Sequence, residues 1–558
     1  MNLSDRVSLG NIELKNRIVM APMISNLANP DGSTNENHIS YLEQRAKGGA
    51  SLIITEYSYV NDRNARGSRN EMGIYNPDHI PKFRRLTERI HLHNSAIFVQ
   101  LVHAGGKAFL ETNRQPAYAP SSVDYAGTTP AEMSTDDIEQ VIHDFERAAK
   151  IAEHSNFDGV EIHGAHGYLV QEFMSPSLNR RADRYGNDFN GRIRFAQEII
   201  DSIRGATSLN VGIRLSLYED DPDGYGPDYG LKIAESLKGI DYAHFSAGRF
   251  APPGSSSSYY SGKTHIYRKL PRKPSVTTIV VGSVTNRNDA VEILGKADLV
   301  AVGRAMLADP EFASKIIRNS NTIRPCIRCN QACRDLGYGE VRCTVNPDLG
   351  LEATSVWDLR MDGLSLSIGG AGVKGLEAAV FAASRGASVT IYEKNSEIGG
   401  QLLEITDPEK RMEFDSLIRY YGRMIERYGI SLKLGQELKG EGVECNPDRE
   451  YPDIPDKPEI RIDSNIYKYH DQALKLADEG REVIMTERSL SSLDRVRRDG
   501  FLAKAAALGI KFTKEPMKNP DVSVIQRFQY DIRSAMISGR EAVRSYLSAH
   551  SDKDHGMR

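Results

Sequence analysis

The stretch 134–163, STDDIEQVIHDFERAAKIAEHSNFDGVEIH, decides how the first half of the chain is read. Ile138, Val141, Ile142, Phe145, Ala148, Ala149 and Ala152 recur at the three- and four-residue spacing that puts them on one helical face, which predicts a helix from Thr135 to His154. Ser134, followed three residues later by Asp137, is a start signal for that helix. GVEIH at 159–163 is a short, mostly apolar run rich in β-branched residues, as expected of a strand buried on both faces.

Seven further runs of the same kind lie on either side: RIVMA (17–21), SLIIT (51–55), AIFVQ (96–100), VGIRL (211–215), YAHFS (242–246), TIVVG (278–282) and LVAVG (299–303). Helical patterns separate most of them. Eight strands with crossover helices predict an α/β fold, a (β/α)8 TIM barrel over 1–322. An open doubly wound sheet would need fewer strands or a glycine-rich loop after the first strand, and that loop is absent. Barrels carry their chemistry at the C-terminal ends of the strands. Those ends read Pro22, Glu56, Gln100, His163, Arg214, His244, Gly282 and Gly303, a polar ring punctuated by glycine.

Composition narrows the function. The 558 residues hold 71 Lys and Arg against 75 Asp and Glu, a formal charge of −4, with 40% hydrophobic and 26% charged residues. That balance suits packed domains and argues against a nucleic-acid or anionic-membrane binder. No apolar run approaches the ~18 residues of a membrane span. MNLSDRVSLGN lacks the basic start and apolar core of a signal peptide, so a cytoplasmic protein is expected. Five cysteines exclude a disulfide scaffold.

Four of the five cysteines, Cys326, Cys329, Cys333 and Cys343, crowd together in a C-x2-C-x3-C-x9-C pattern, and Cys445 stands apart. Structural zinc usually pairs two CxxC knuckles, and here there is one. Three close thiolates and a more distant fourth suit a [4Fe–4S] cluster, with zinc and free thiols as the alternatives. Next, SLSIGGAGVKGLEAAVFAASRGASVTIYE (365–393) reads as strand, glycine-rich turn, helix, strand. Gly370, Gly372 and Gly375 form GxGxxG, and Glu393 ends the second strand, where it could hold ribose hydroxyls. The bland alternative is a structural turn. ECNPDREYPDIPDKPE (444–459) reads as a linker, a weaker strand–helix–strand pattern occupies 459–487, and AMISGREAVRSYLSAH as a terminal helix. EIRIDSNIYKYHDQALKLADEGREVIMTE has no GxGxxG, so bulky side chains would face a pyrophosphate there.

IRPCIRCNQAC with CTVNP resembles the cluster segment of the 2,4-dienoyl-CoA reductase and trimethylamine dehydrogenase group, old yellow enzyme-like NADH:flavin oxidoreductases. NRIVMAPM (16–23), RAKGGASLIITE (45–56), VQLVHAGGKA (99–108), DGVEIHGAHGYLVQEFMSPSLNRRADRYG (158–186) and ADLVAVGRAMLADP (297–310) agree with that group. The resemblance is good over 1–435 and poor beyond. It implies FMN across the barrel mouth, beside Pro22 and Met23. Gln100 would meet the flavin pyrimidine, Arg214 would stand near flavin N1, and Gly282, Ser283, Gly303 and Arg304 would take the phosphate. His163 and His166 resemble the family's oxyanion pair and Tyr168 its proton donor, the alternative being structural histidines. Glu56, His103 and His244 are open between active-site lining and packing. The four clustered cysteines would hold [4Fe–4S], and FAD is expected at GxGxxG, with Gln401 of IGGQL (398–402) in the family's FAD segment.

The domains expected are therefore the FMN barrel (1–322), an iron–sulfur segment and linker (323–362), a Rossmann-like FAD-type domain (363–440 and 488–558), and a reduced, degenerate NAD(P)-type domain (441–487), with NAD(P)H as donor left open. The departures from the group are informative. PMISNLA has no cysteine, so FMN would be non-covalent, and Ile24 stands where many relatives have Thr or Cys. The loop GRFAPPGSSSSYYSGKTHIY offers only the distant His265 for a histidine of the dienoyl-CoA reductases. The function implied is reduction of an activated C=C bond of an α,β-unsaturated carbonyl or enoyl substrate by hydride from FMN N5, with electrons relayed through the cluster. An amine-type dehydrogenase passing electrons to an electron-transfer protein, and a redox scaffold subunit, are the alternatives. A homo-oligomer is left open.

Overall fold

The computed structural model describes residues 1–554 apart from 125–126, 128, 250–264, 332, 335, 337–338, 355–356, 447–451, 494 and 525–530. Eight parallel strands close into a barrel: β1 (Ile18–Met20), β2 (Leu52–Tyr59), β3 (Ala96–Val102), β4 (Gly159–Gly164), β5 (Asn210–Ser216), β6 (Tyr242–Ser246), β7 (Thr277–Val281) and β8 (Leu299–Val302). Each pairs with its sequence neighbours, and β8 pairs with β1. The helix predicted from the opening stretch runs Thr135–His154, and Ser134 and Asp137 form a reciprocal capping box. It buries Ile138, Val141, Phe145, Ala148, Ala149 and Ala152. A hairpin, Val7–Leu9 with Ile12–Leu14, closes the N-terminal end of the barrel, placing Leu9 and Leu14 in one cluster with Leu52, Phe98, Tyr242 and Leu299.

Strand β2 runs four residues past the predicted SLIIT. Its register against β3 shifts between Ile54 and Tyr57, an irregularity that re-aims side chains at the barrel mouth.

Two smaller parallel sheets follow. In the first, β9 (Ser365–Gly369), β10 (Ser388–Glu393), β11 (Ser431–Leu434) and β12 (Val443–Glu444) lie in the order β11-β10-β9-β12. In the second, β13 (Glu459–Ser464), β14 (Glu482–Thr486), β15 (Lys511–Thr513) and β16 (Val522–Val524) lie in the order β15-β14-β13-β16. The boundary expected at 487 is therefore wrong. The second sheet continues to Val524, and residues 488–524 belong with it, not with the first Rossmann-like unit. Its core, around Ile460, Ile462, Tyr469, Met485 and Phe501, is separate from the main one.

One carboxylate ties the middle of the molecule together. Glu377, on the helix Val373–Ala383 that follows the glycine-rich turn, is buried. It accepts from Arg540 of the C-terminal helix Ile532–Asp554 (2.7 Å), Arg324 of the cysteine segment (3.2 Å) and Tyr421 of the helix Pro408–Arg427 (2.9 Å). Burial alone would raise the Glu377 carboxyl; the two arginines hold it below its ordinary range. No helix among the described residues is long and apolar enough to cross a membrane.

Candidate functional site

A charged layer floors the barrel mouth. Glu161, in the middle of β4, is fully buried and accepts from the Gln100 amide (2.6 Å), the Tyr242 hydroxyl (3.0 Å) and His244 Nδ1 (2.9 Å). Burial pushes Glu161 up, but His244, Arg214 and Gln100 together hold it below the usual carboxylate range. His244 is lowered by burial despite the Glu161 charge. The neutral imidazole thus donates through Nδ1 to the carboxylate. Glu161 was visible as the one charged residue in GVEIH, yet sequence reasoning gave it no role.

Above this floor, four buried polar atoms have no partner among the described residues: Gln100 Oε1, His163 Nδ1, Arg214 Nε and His244 Nε2. A buried polar atom without a partner costs roughly 1–3 kcal/mol, so four at one barrel end mark a place built for a polar ligand. Arg214 also reaches the Pro22 carbonyl (3.4 Å), and Met23 lies against Gly303. Gly282 (φ +147°) and Ser283 (φ +51°) form a turn in the left-handed region at the end of β7, a conformation that can turn successive N–H groups toward an anion. Acceptor amide, buried cation and anion-binding turn fit FMN.

Three of the predicted residues are brought together. The His163 ring centroid lies 5.2 Å from that of His166 and 4.8 Å from that of Tyr168. His166 has φ +59°, and its Nε2 is 2.7 Å from Ser246 Oγ. Burial first, then Arg214, lowers both histidines well below their ordinary range, so both are neutral hydrogen-bonding groups. Burial pushes the Tyr168 phenol up to about 12, and a hydrogen bond from Tyr57 opposes the rise. Tyr57, 5.2 Å ring to ring from Tyr168, went unrecognised because it lies past the predicted end of its strand. Lys107 donates to the His166 carbonyl and sits 5.3 Å above the Tyr168 ring.

Other candidates are resolved differently. Glu56 accepts the main-chain N–H groups of Ser25 and Met72, fixing the loop after β1; burial raises it to about 7. His103 pairs with Asn64 Oδ1 (3.0 Å) and accepts from Gly105 N (3.1 Å), holding the loop after β3. His265 packs beside Tyr267 and is not placed with the histidine pair.

The cysteine segment lies against the barrel mouth. Val341 N donates to Ser25 O (2.8 Å), Asn26 Nδ2 to Gly339 O (3.0 Å), and Arg304 to Asn330 Oδ1. Arg304 thus sits beside the cysteines as well as after β8. On its other side the segment reaches the first Rossmann-like unit, through Arg328 and Glu413. Cys326, Cys329, Cys333 and Cys343 line one small pocket together with Arg304, Asn330 and Thr344. Burial raises the Cys326, Cys333 and Cys343 thiols, the last to about 12. Among the described residues no three His, Cys, Asp or Glu side chains converge on a point that one metal ion would occupy.

In the first Rossmann-like unit, Gly370 has φ +97° and Gly372 caps the following helix. A Cβ at Gly375 would run into the Gly370 carbonyl oxygen. Glu393 accepts from Ala371 N (2.7 Å) and Asn395 N (2.9 Å), binding the end of β10 to the turn. Gln401 is exposed in the short turn Gly400–Glu404, whose Gly400 packs on Gly372. In the second unit the corresponding cap is Ile466, and fully buried Tyr469 stands three residues on, where the first unit has Gly375.

Residues 5–322 match the model of the NADH:flavin oxidoreductase / NADH oxidase family, and residues 368–429 match that of an NAD(P)-binding Rossmann-like domain. An NADH oxidase of Thermoanaerobacter brockii is 37% identical over 462 residues, 79% of this chain and 71% of that protein. A cinnamate reductase of Clostridium sporogenes is 32% identical over 478 residues, 79% of this chain and 72% of that protein. The structure of a 2-naphthoyl-CoA reductase superposes with a TM-score of 0.85 at 22% identity, covering 97% of this chain and 99% of that one. A histamine dehydrogenase from Rhizobium sp. 4-9 superposes with a TM-score of 0.82 at 19% identity, covering 97% and 96%.

Proposed function

Since the chain belongs to the NADH:flavin oxidoreductase / NADH oxidase family, we propose that it is an FMN-dependent reductase of activated C=C bonds in α,β-unsaturated carbonyl or enoyl substrates. The carrying observation is the set of unpartnered polar atoms on Gln100, His163, Arg214 and His244, directly beside the neutral histidine pair and Tyr168. The name of the cinnamate reductase relative supports an unsaturated substrate.

FMN, when bound, supplies the hydride for the β-carbon. Gln100 Oε1 would accept a hydrogen bond from it, and Arg214 would set a positive charge beside it. Pro22 and Met23 would flank it, and the turns at Gly282, Ser283, Gly303 and Arg304 would hold its phosphate. His163 and His166 hold the substrate carbonyl oxygen, where negative charge builds as the double bond is lost; fixed donors at that point stabilise the transition state. Tyr168 gives a proton to the α-carbon, and Tyr57 hydrogen-bonds the phenolate left behind. The four thiols around one cleft suit a [4Fe–4S] cluster at Cys326, Cys329, Cys333 and Cys343 better than a single ion, which would need sulfurs converging within about 2.3 Å of it. That cluster would supply single-electron transfer toward the barrel. FAD is assigned to the Gly370, Gly372, Gly375, Glu393 and Gln401 site, and the second unit is read as not binding NAD(P)H.

Anaerobic purification with flavin extraction and iron and sulfide assays tests the cofactor set. One FMN and one FAD with four iron and four sulfide per chain are expected; zinc without sulfide would overturn the cluster assignment. Tyr168→Phe should keep a reducible flavin while turning over an unsaturated carbonyl at least ~100-fold more slowly. Unchanged turnover removes Tyr168 from proton transfer.

A further inference from the structure

The second unit lacks a glycine-rich turn of its own, and it grips the first unit close to the one there. In the first unit the turn Gly400–Glu404 lies against the glycine-rich turn. Gly399 N donates to Ala371 O (2.8 Å), and a Cβ on Gly400 would stand 2.9 Å from Gly372 Cα. Gly399 and Gly400 take φ +127° and +54°, so this close approach needs both glycines. The chain then runs through Ile405, Thr406 and Asp407 into the helix Pro408–Arg427. Asp407 caps that helix by accepting from Lys410 N (3.1 Å).

Contacts from the second unit land on this exit. Asp407 accepts from Lys504 Nζ (2.5 Å), on the helix Arg495–Ala507. Lys410 is paired with Asp471, on the helix Tyr467–Asp478 that leaves β13. Thr406 Oγ1 donates to the Asp471 carbonyl oxygen (3.2 Å), and Lys468 Nζ lies 3.5 Å from Glu404. The first two pairs are reciprocal: each unit gives one carboxylate and one lysine. Asp407, Lys410 and Asp471 are buried. Lost hydration offsets most of the attraction in a buried ion pair, so such pairs add little stability. Removing one partner strands the other, however, and the pair therefore fixes where the two chains meet. Here the part so fixed is the chain directly after the turn.

We infer that the second unit is a latch on the first: the Asp407–Lys504 and Lys410–Asp471 pairs hold the turn Gly400–Glu404 against the Gly370–Gly375 turn, and that hold retains the flavin of the first unit. This deepens the assignment of FAD to that site and rests on it. It gives the second unit a task that needs no nucleotide of its own. The competing role is simple adhesion of the two units, which would leave the turn and its flavin unaffected.

The test uses the anaerobically purified full-length holoprotein. Flavin release is followed after dilution, with FAD and FMN separated by chromatography. Hydrogen exchange over residues 399–407 is read by mass spectrometry. The Lys504 side chain is 40% exposed, so Lys504→Gln does not endanger the fold. Lys504→Gln and Lys410→Met should each release FAD roughly tenfold faster, the scale of one hydrogen bond to a charged group. FMN release should stay within about twofold of wild type, and exchange over 399–407 should quicken. Lys410→Asp combined with Asp471→Lys should slow FAD release again. Faster FAD release with unchanged exchange overturns the inference, as does equal loss of FAD and FMN. A swapped double variant that folds and still releases FAD fast overturns it too. If wild type holds FAD and neither single variant releases it faster, the FAD assignment stands and the latch falls. If wild type holds no FAD, yet exchange quickens in both single variants and slows in the swapped one, the hold on the turn stands and the FAD assignment falls.

Discussion

The two small sheets share one strand order and differ in one turn. In both, the first strand lies between the second and the fourth, and a helix leaves the first strand's C-terminal end. In the first unit that exit is built from Gly370, Gly372 and Gly375, so the helix approaches its strand closely and leaves room at the cap. In the second, Asn465, Ile466 and Tyr469 occupy the exit, and the Tyr469 hydroxyl donates to Pro452 O (2.7 Å). Asp463, at the end of β13, is bound to Arg488 and Thr486. The same topology carries two different turns. Three side chains turn the same scaffold into a packed unit with its polar groups directed inward.

The largest expected effect is on the first turn. Gly375→Val should remove the second flavin, lowering extracted flavin from two per chain to one, because any Cβ meets the Gly370 carbonyl. Two flavins retained in that variant would break the contrast between the units.

Next, Tyr469→Ala should cost the second unit about 3–5 kcal/mol by emptying a fully buried ring site. Calorimetry should show one transition displaced downward and the flavin content unchanged. A uniform shift of all transitions would mean that the separate core does not unfold separately.

A smaller effect is expected at the carboxylates. Glu393→Gln should weaken flavin retention in the first unit roughly tenfold, the scale of one charged hydrogen bond, as read by flavin loss on dialysis. Asp463→Asn should leave flavin untouched.

The smallest is a pH effect with opposite signs. The Arg488 hydrogen bond holds Asp463 below its ordinary value, so its stabilisation is present above the unfolded value near 3.8 and lost as pH falls through the lower folded value. Arg488 is half exposed, which limits the effect to below about 1 kcal/mol. Burial pushes Glu172 of the barrel up to about 8, so the stability it contributes is present below about 4.5 and lost as pH rises toward 8. Thermal melts from pH 3 to 9 should show Asp463→Asn flattening the acid limb of the second unit and Glu172→Gln flattening the alkaline limb of the barrel.

The barrel was legible because buried parallel strands print as apolar runs, and GVEIH followed by GAHGY placed both histidines and Tyr168 at one strand end. The limits of the second unit were not, since KFT (511–513) and VSV (522–524) are too short to show a period and carry polar residues. Tyr57 was hidden by a register shift, which has no signature in alternation.

Glu377 has a mechanical consequence. The barrel-side cysteine segment, the helix Pro408–Arg427 and the C-terminal helix are fastened to one point, and the second unit is joined to that same helix through Lys410, which is bound to Asp471. A pull on the second unit therefore reaches that fastening through the Lys410–Asp471 and Lys504–Asp407 pairs. The fastening works like a rivet through three plates, one of which also carries the outer unit.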